Sequence, residues 1–242
     1  MNKIIHQFQL QVMCRIVFLL ITLPCHAQEL SIPNKYHLLV ISNMQQLQKT
    51  ILTDPAKAMI DIKKKIPGIS LDLRYAGNNN FMHQQVYPPT STTYLRKPVA
   101  DALALVQDEL NKKGLGLKIF DAYRPYGITQ KIWDIVKDER YAASPKKGSR
   151  HNRGIAVDLT IINLATHEQL NMGTDFDNFS DTAHHDFTRL PKDVLANRRL
   201  LRSVMAKFGF EAQTTEWWHY SIHKLKYFEI LDISFDELSR NN

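Results

Sequence analysis

The sequence predicts an α+β fold: a single domain with a central, mainly antiparallel sheet flanked by helices. Three observations predict it. Strand-like alternation and helix-like apolar stripes both occur, without the regular strand–helix rhythm that builds a parallel sheet. No repeat, low-complexity tract or Pro/Gly-rich linker interrupts residues 28–242. Both cysteines, Cys14 and Cys25, fall within the first 27 residues, so the remaining chain must be held by its own core rather than by disulfides. About 215 residues are enough for that.

Each element has its own signal. Residues 69–75 alternate apolar and polar side chains as a strand does, and Ala76-Gly77-Asn78-Asn79-Asn80 ends it as a turn. Residues 98–113 predict a helix, with Pro98 in the first turn, an apolar stripe at Leu103, Val106 and Leu110, and Gly114 as the stop. Residues 117–120 form a short strand leading to Asp121-Ala122-Tyr123-Arg124-Pro125, and residues 129–136 are helical. A strand over 155–162 alternates Val157, Leu159 and Ile161 on a half-buried face. A helix over 191–208 is stopped by Gly209, and residues 216–222 alternate as a final strand.

The N-terminus carries Lys3 and Arg15, no acidic residue, an apolar run over 16–23 and then Pro24-Cys25-His26-Ala27. A basic start, a short apolar run and a small residue at the cut describe a signal peptide over 1–27, cleaved after Ala27. The expectation is a periplasmic or secreted protein. The apolar run is far short of the roughly 20 residues that span a bilayer, so no stable membrane insertion is expected after cleavage. Thr22-Leu23-Pro24-Cys25 is a poor lipoprotein box. Losing Lys3 and Arg15 lowers the basic count from 31 to 29 against 24 acidic residues, and the net charge from +7 to +5. The basic residues are dispersed and not interleaved with aromatics, which argues against nucleic acid as a partner.

The chemistry concentrates in Ser149-Arg150-His151-Asn152-Arg153-Gly154-Ile155-Ala156-Val157-Asp158 and Glu216-Trp217-Trp218-His219. His151, Asp158 and His219 offer two imidazoles and a carboxylate as metal ligands, and Glu216 is a spare carboxylate three residues before the last His. That is the inventory of a catalytic zinc site holding one ion per chain: three protein ligands, an open position for water, and a base. With both cysteines in the leader, only His and carboxylate remain to hold a metal. A lone H-x6-D spacing in a chain with ten His arises readily by chance, and spacing alone does not bring the two segments together. His184-His185 is a further pair, suited at most to supporting a ligand from behind.

These segments resemble the zinc D-Ala-D-Ala peptidases that share a fold with the signalling domain of hedgehog proteins, and most of all the VanX-type D-alanyl-D-alanine dipeptidase family. The likeness extends to Leu71-Asp72-Leu73-Arg74-Tyr75-Ala76 with Asn80-Phe81, to Asp121-Ala122-Tyr123-Arg124-Pro125, to Met172-Gly173-Thr174 with Phe176-Asp177, and to His184-His185. It implies His151, Asp158 and His219 as zinc ligands, Glu216 as catalytic base, and Arg124 as the cation that stabilises the transition state. It implies substrate contacts at Tyr75, Ser149 and Asp177, with Asp177 for the ammonium and Ser149, with or without Arg124, for the carboxylate of a free dipeptide. On the residues alone, Arg124 could instead pair structurally with Asp121 or Asp134, and Asp177 could be a turn residue. The implied reaction is zinc-dependent hydrolysis of D-alanyl-D-alanine, a small dipeptide, in peptidoglycan metabolism or salvage. The alternative is a carboxypeptidase or endopeptidase acting on peptidoglycan stem peptides. A non-catalytic, hedgehog-like metal module is the third reading, and Glu216 argues against it. The best-known relatives lack an export signal, which separates this chain from their cytoplasmic role.

Overall fold

The structure, a computed structural model, describes residues 35–223 and 227–241; the signal segment expected over 1–27 lies outside them. The described residues belong to one compact unit. Its elements run β1 (Val40–Ile41), α1 (Met44–Thr53), β2 (Met59–Asp61), α2 (Ile62–Lys65), β3 (Ser70–Leu71), β4 (Tyr94–Arg96), α3 (Lys97–Asn111), β5 (Leu115–Asp121) and α4 (Tyr126–Val136). There follow β6 (Ala156–Asn163), α5 (Lys192–Lys207), β7 (Glu211–Ala212), β8 (His219–Ser221), β9 (Ile230–Leu231) and α6 (Phe235–Ser239).

The main sheet has five strands in the order β3-β5-β6-β8-β7. Its β5–β6, β6–β8 and β8–β7 pairs are antiparallel, as expected, while β3 joins β5 in parallel, so the sheet is mixed. Two small pairs stand apart from it, β1 with β9 and β2 with β4. Strand β6 sits in the middle, and this corrects its expected half-burial: Ala156 to Ile162 are buried throughout, on both faces. Successive side chains take opposite faces, so Val157, Leu159 and Ile161 fill one side while Asp158 and Thr160 look out of the other.

Helix α3 forms as expected, with Pro98 in its first turn and Leu103, Val106 and Leu110 fully buried as one stripe against β5 and α5. Helix α5 buries Val194, Leu201, Val204 and Met205 and ends before Gly209, whose φ of +89° favours glycine. Two expected strands shrink. In residues 69–75 only Ser70–Leu71 pairs regularly. Arg74 then turns inward to Asp72 (2.8 Å) and over the Phe120 ring, and the Tyr75 carbonyl accepts from the Val86 and Tyr87 N–H groups instead of a ladder partner. In residues 216–222 the ladder starts only at His219, because the Glu216 N–H is spent on the Gln213 carbonyl in a turn. Among the described residues no helix is long and apolar enough to cross a membrane.

Candidate active site

The site is assembled where β5, β6 and β8 end side by side. Asp121 is the register partner of Asp158, and Asp158 of His219, so three functional side chains lie in one row across the sheet. A register shift between Ile119 and Asp121 marks the end of β5. The chain beyond it is clasped to the His151 turn. The Arg124 N–H donates to the His151 carbonyl (3.2 Å), His151 Nδ1 donates to the Ala122 carbonyl (2.7 Å), and Asn152 Nδ2 donates to the Arg124 carbonyl (2.8 Å). Within the turn the Ser149 hydroxyl accepts the His151 N–H (3.0 Å). Gly154 closes it at φ +68°, where a Cβ would stand 2.9 Å from Met59 and 3.3 Å from Arg96. Only glycine meets both demands.

With Nδ1 committed to the backbone, His151 turns Nε2 towards the other donors. It lies 3.2 Å from His219 Nδ1 and 3.4 Å from Asp158 Oδ2, and His219 Nδ1 lies 2.9 Å from Asp158 Oδ1. A tetrahedral zinc ion about 2.0–2.1 Å from each ligand atom holds those atoms roughly 3.3 Å apart, so the cluster fits the ion. Protonation states fit as well. Burial opposes ionisation of Asp158, but His151 and His219 outweigh it and hold the carboxyl well below its usual range. Burial also lowers His219, favouring the neutral imidazole that binds metal.

Glu216 stands beside this cluster, its Oε2 3.7 Å from His219 Nδ1. Its turn is anchored by Trp217 and Trp218, both buried and edge-to-face at 5.5 Å. The Trp217 indole N–H donates to the Thr174 hydroxyl (2.8 Å), which gives the Met172-Gly173-Thr174 segment a structural task behind the site. Burial, then the Asp158 and Asp177 carboxylates, push the Glu216 carboxyl well above its ordinary range, strengthening it as a base.

Arg124 both pairs structurally and lines the cavity. Its Nε and Nη2 donate to Asp121 Oδ2 at 3.0 and 2.7 Å, and Tyr87 donates to Asp121 Oδ1 at 2.8 Å. The guanidinium lies 5.2 Å over the Tyr75 ring and 3.9 Å from Asp158. Asp121 was visible in the sequence only as an alternative partner of Arg124, and nothing there pointed to Tyr87. Tyr75 donates its hydroxyl to Asp177 (3.0 Å), whose carboxyl is raised by burial and by Asp158. Asp177 holds φ +58°, tolerated by an Asp but rare elsewhere. A cavity of about 300 Å³ brings together Tyr75, Arg124, Ser149, His151, Asp158, Asp177, Glu216 and His219, the residues expected as metal ligands, catalytic groups and substrate contacts. His184 and His185 stay out of the cluster: His184 faces Tyr141 at 3.4 Å, and His185 packs near the Tyr220 ring.

A solvent-connected cavity with a His-Asp-His donor set and a carboxylate beside it is the equipment of a zinc metallopeptidase. Residues 55–232 match the peptidase M15 family model described as D-ala-D-ala dipeptidase, and the chain belongs to that family. The chain is 30% identical over 177 residues to the D-alanyl-D-alanine dipeptidase of Escherichia coli (strain K12), covering 73% of this chain and 91% of that one. It is 32% identical over 184 residues to that of Enterococcus faecium, covering 67% and 90%, and 31% identical over 186 residues to that of Streptomyces coelicolor, covering 66% and 89%.

Proposed function

We propose that this protein hydrolyses free D-alanyl-D-alanine to two molecules of D-alanine, using one zinc ion per chain held by His151, Asp158 and His219. The observation that supports this most is the pairing of the metal-ligand cluster with a buried carboxylate, Asp177, in one cavity of about 300 Å³. That volume lies at the small end for ligand pockets and suits a dipeptide.

Held by His151, Asp158 and His219, a zinc ion would supply Lewis acidity to the scissile carbonyl and the attacking water. Glu216 accepts the proton of that water and passes it to the departing amine, which leaves as D-alanine. Arg124, held cationic by Asp121, faces the negative charge that develops on the carbonyl oxygen. Asp177, steadied by Tyr75, pairs with the substrate ammonium, and the Ser149 hydroxyl, accepting from His151 N–H, keeps its own proton to donate to the carboxylate. Burial of Asp177 is costly unless a cation arrives, and a free amino terminus provides one.

We further infer that the reaction takes place outside the cytoplasmic membrane, on dipeptide derived from peptidoglycan, following the signal-like sequence over 1–27. Turnover of D-Ala-D-Ala beside N-acetyl-D-Ala-D-Ala tests the proposal. Preference for the free dipeptide is expected, and preference for the blocked one would assign the site to a carboxypeptidase.

A further inference from the structure

The cavity wall carries three arginines, and two are already engaged: Arg124 by Asp121 at 2.7 Å and Arg140 by Asp138 at 2.7 Å. The third, Arg150, forms no ion pair or side-chain hydrogen bond with the described residues. Its backbone is nevertheless fixed, since its carbonyl accepts from both the Arg153 and Ile155 N–H groups at 3.1 Å. A pinned main chain with an unengaged guanidinium at the mouth of a substrate cavity is a poised anion reader.

Its position is equally telling. Asp177 accepts from the Tyr75 hydroxyl at 3.0 Å, and Arg124 lies 5.2 Å over the same Tyr75 ring. The charge that acts on Arg150 is that of Glu211 on β7, itself 3.4 Å from His223. Tyr75, Asp177 and Arg124 thus share one part of the cavity wall, and no contact among the described residues ties Arg150 to them. Arg150 and its neighbour Ser149 line the same cavity without joining that group.

We propose that Arg150 is a specificity-determining residue that binds the C-terminal carboxylate of the substrate. This rests on the dipeptidase reading for its substrate, but the carboxylate preference it creates holds for any substrate with a free C-terminal carboxylate at that end. No bond is made or broken by Arg150; it sets which ends of a peptide fit across the cluster.

The test uses the zinc-loaded protein with D-Ala-D-Ala and N-acetyl-D-Ala-D-Ala, each as free acid and as C-terminal amide. In the wild type, amidation should lower kcat/KM by about ten- to a hundredfold, the weight of one charged hydrogen-bonded contact. In Arg150→Gln that penalty should shrink to within about threefold, with the loss on the free acid falling mainly on KM. Arg150→Lys should restore part of it, keeping the charge without the planar fork. An amidation penalty as large in Arg150→Gln as in the wild type overturns the proposal. Preference for the acetylated series overturns the dipeptidase reading instead, and Arg150 is then judged on that series. Turnover of none of the four overturns both.

Discussion

Asp158 and His219 are register partners on adjacent strands, so the sheet ladder itself sets the 2.9 Å between Asp158 Oδ1 and His219 Nδ1. Two of the three expected zinc ligands are thus placed by backbone hydrogen bonding, and the third, His151, by its clasp to Ala122. Strand-borne ligands are held more tightly than loop-borne ones, and rigidity is what a metal-assisted reaction needs.

Binding and chemistry should separate by mutation. His151→Ala and His219→Ala are expected to lose stoichiometric zinc and turnover together. Glu216→Ala should keep its zinc and lose about 10²–10⁴-fold in kcat, the usual share of a general base. Metal analysis beside steady-state kinetics checks both; zinc-loaded His219→Ala or fully active Glu216→Ala would contradict the assignments.

Arg124 should behave as a partner of the developing oxyanion. Arg124→Ala is expected to retain zinc while kcat falls by about 10²–10³-fold. Because Tyr87 and Asp121 hold the guanidinium, Tyr87→Phe should give a smaller fall in kcat, with a stability cost of about 1–3 kcal/mol for the buried oxygen left short of a donor. Chemical denaturation and kinetics on the two variants separate these effects.

Asp177→Asn should weaken recognition of the free dipeptide by about ten- to a hundredfold, chiefly in KM, and narrow the gap between free and N-acetylated substrates. Kinetics with both substrates on both proteins measure it. An unchanged preference would mean that another group reads the amine.

His185 ties stability to pH. Burial first, then Arg202 and Arg198, push its imidazole down to about 4, and its Nε2 has no partner among the described residues. In the unfolded chain the imidazole titrates near 6.5, so between about 6.5 and 4 the unfolded state binds more protons and stability falls as pH is lowered. After allowance for solvent screening the loss is about 1–2 kcal/mol at this half-buried site. Thermal unfolding at pH 7 and pH 5 should show a smaller drop for His185→Gln than for the wild type.

The candidate metal donors and Glu216 were legible because they sit in two short motifs with unusual donor content, and the fold brings the motifs together with Asp158 and His219 on adjacent strands. Tyr75, Arg124 and Asp177 lie in other segments and were legible only through the family resemblance. Helices α3 and α5 were legible from apolar stripes long enough to show a period. Strands β1, β2, β4, β7 and β9 have two or three residues each, too few for any period to register. Helix α1 carries one fully buried residue, Leu47, and so lacks a broad stripe. The strand expected over 69–75 failed at Arg74, where inward ion pairing and a ring contact overrode alternation. Tyr87 escaped notice because its bond to Asp121 spans 34 positions with no local pattern. Arg150 lay inside the motif, but only the structure shows that, of the three arginines lining the cavity, it is the one that makes no ion pair or side-chain hydrogen bond with the described residues.

The central claim is that zinc at His151, Asp158 and His219 drives cleavage of D-Ala-D-Ala. Its most direct test is D-alanine release by metal-stripped protein titrated with zinc. The expected curve rises from no activity and breaks at one zinc per chain. Undiminished D-alanine release from the stripped protein, or no release at any zinc level, would contradict the claim.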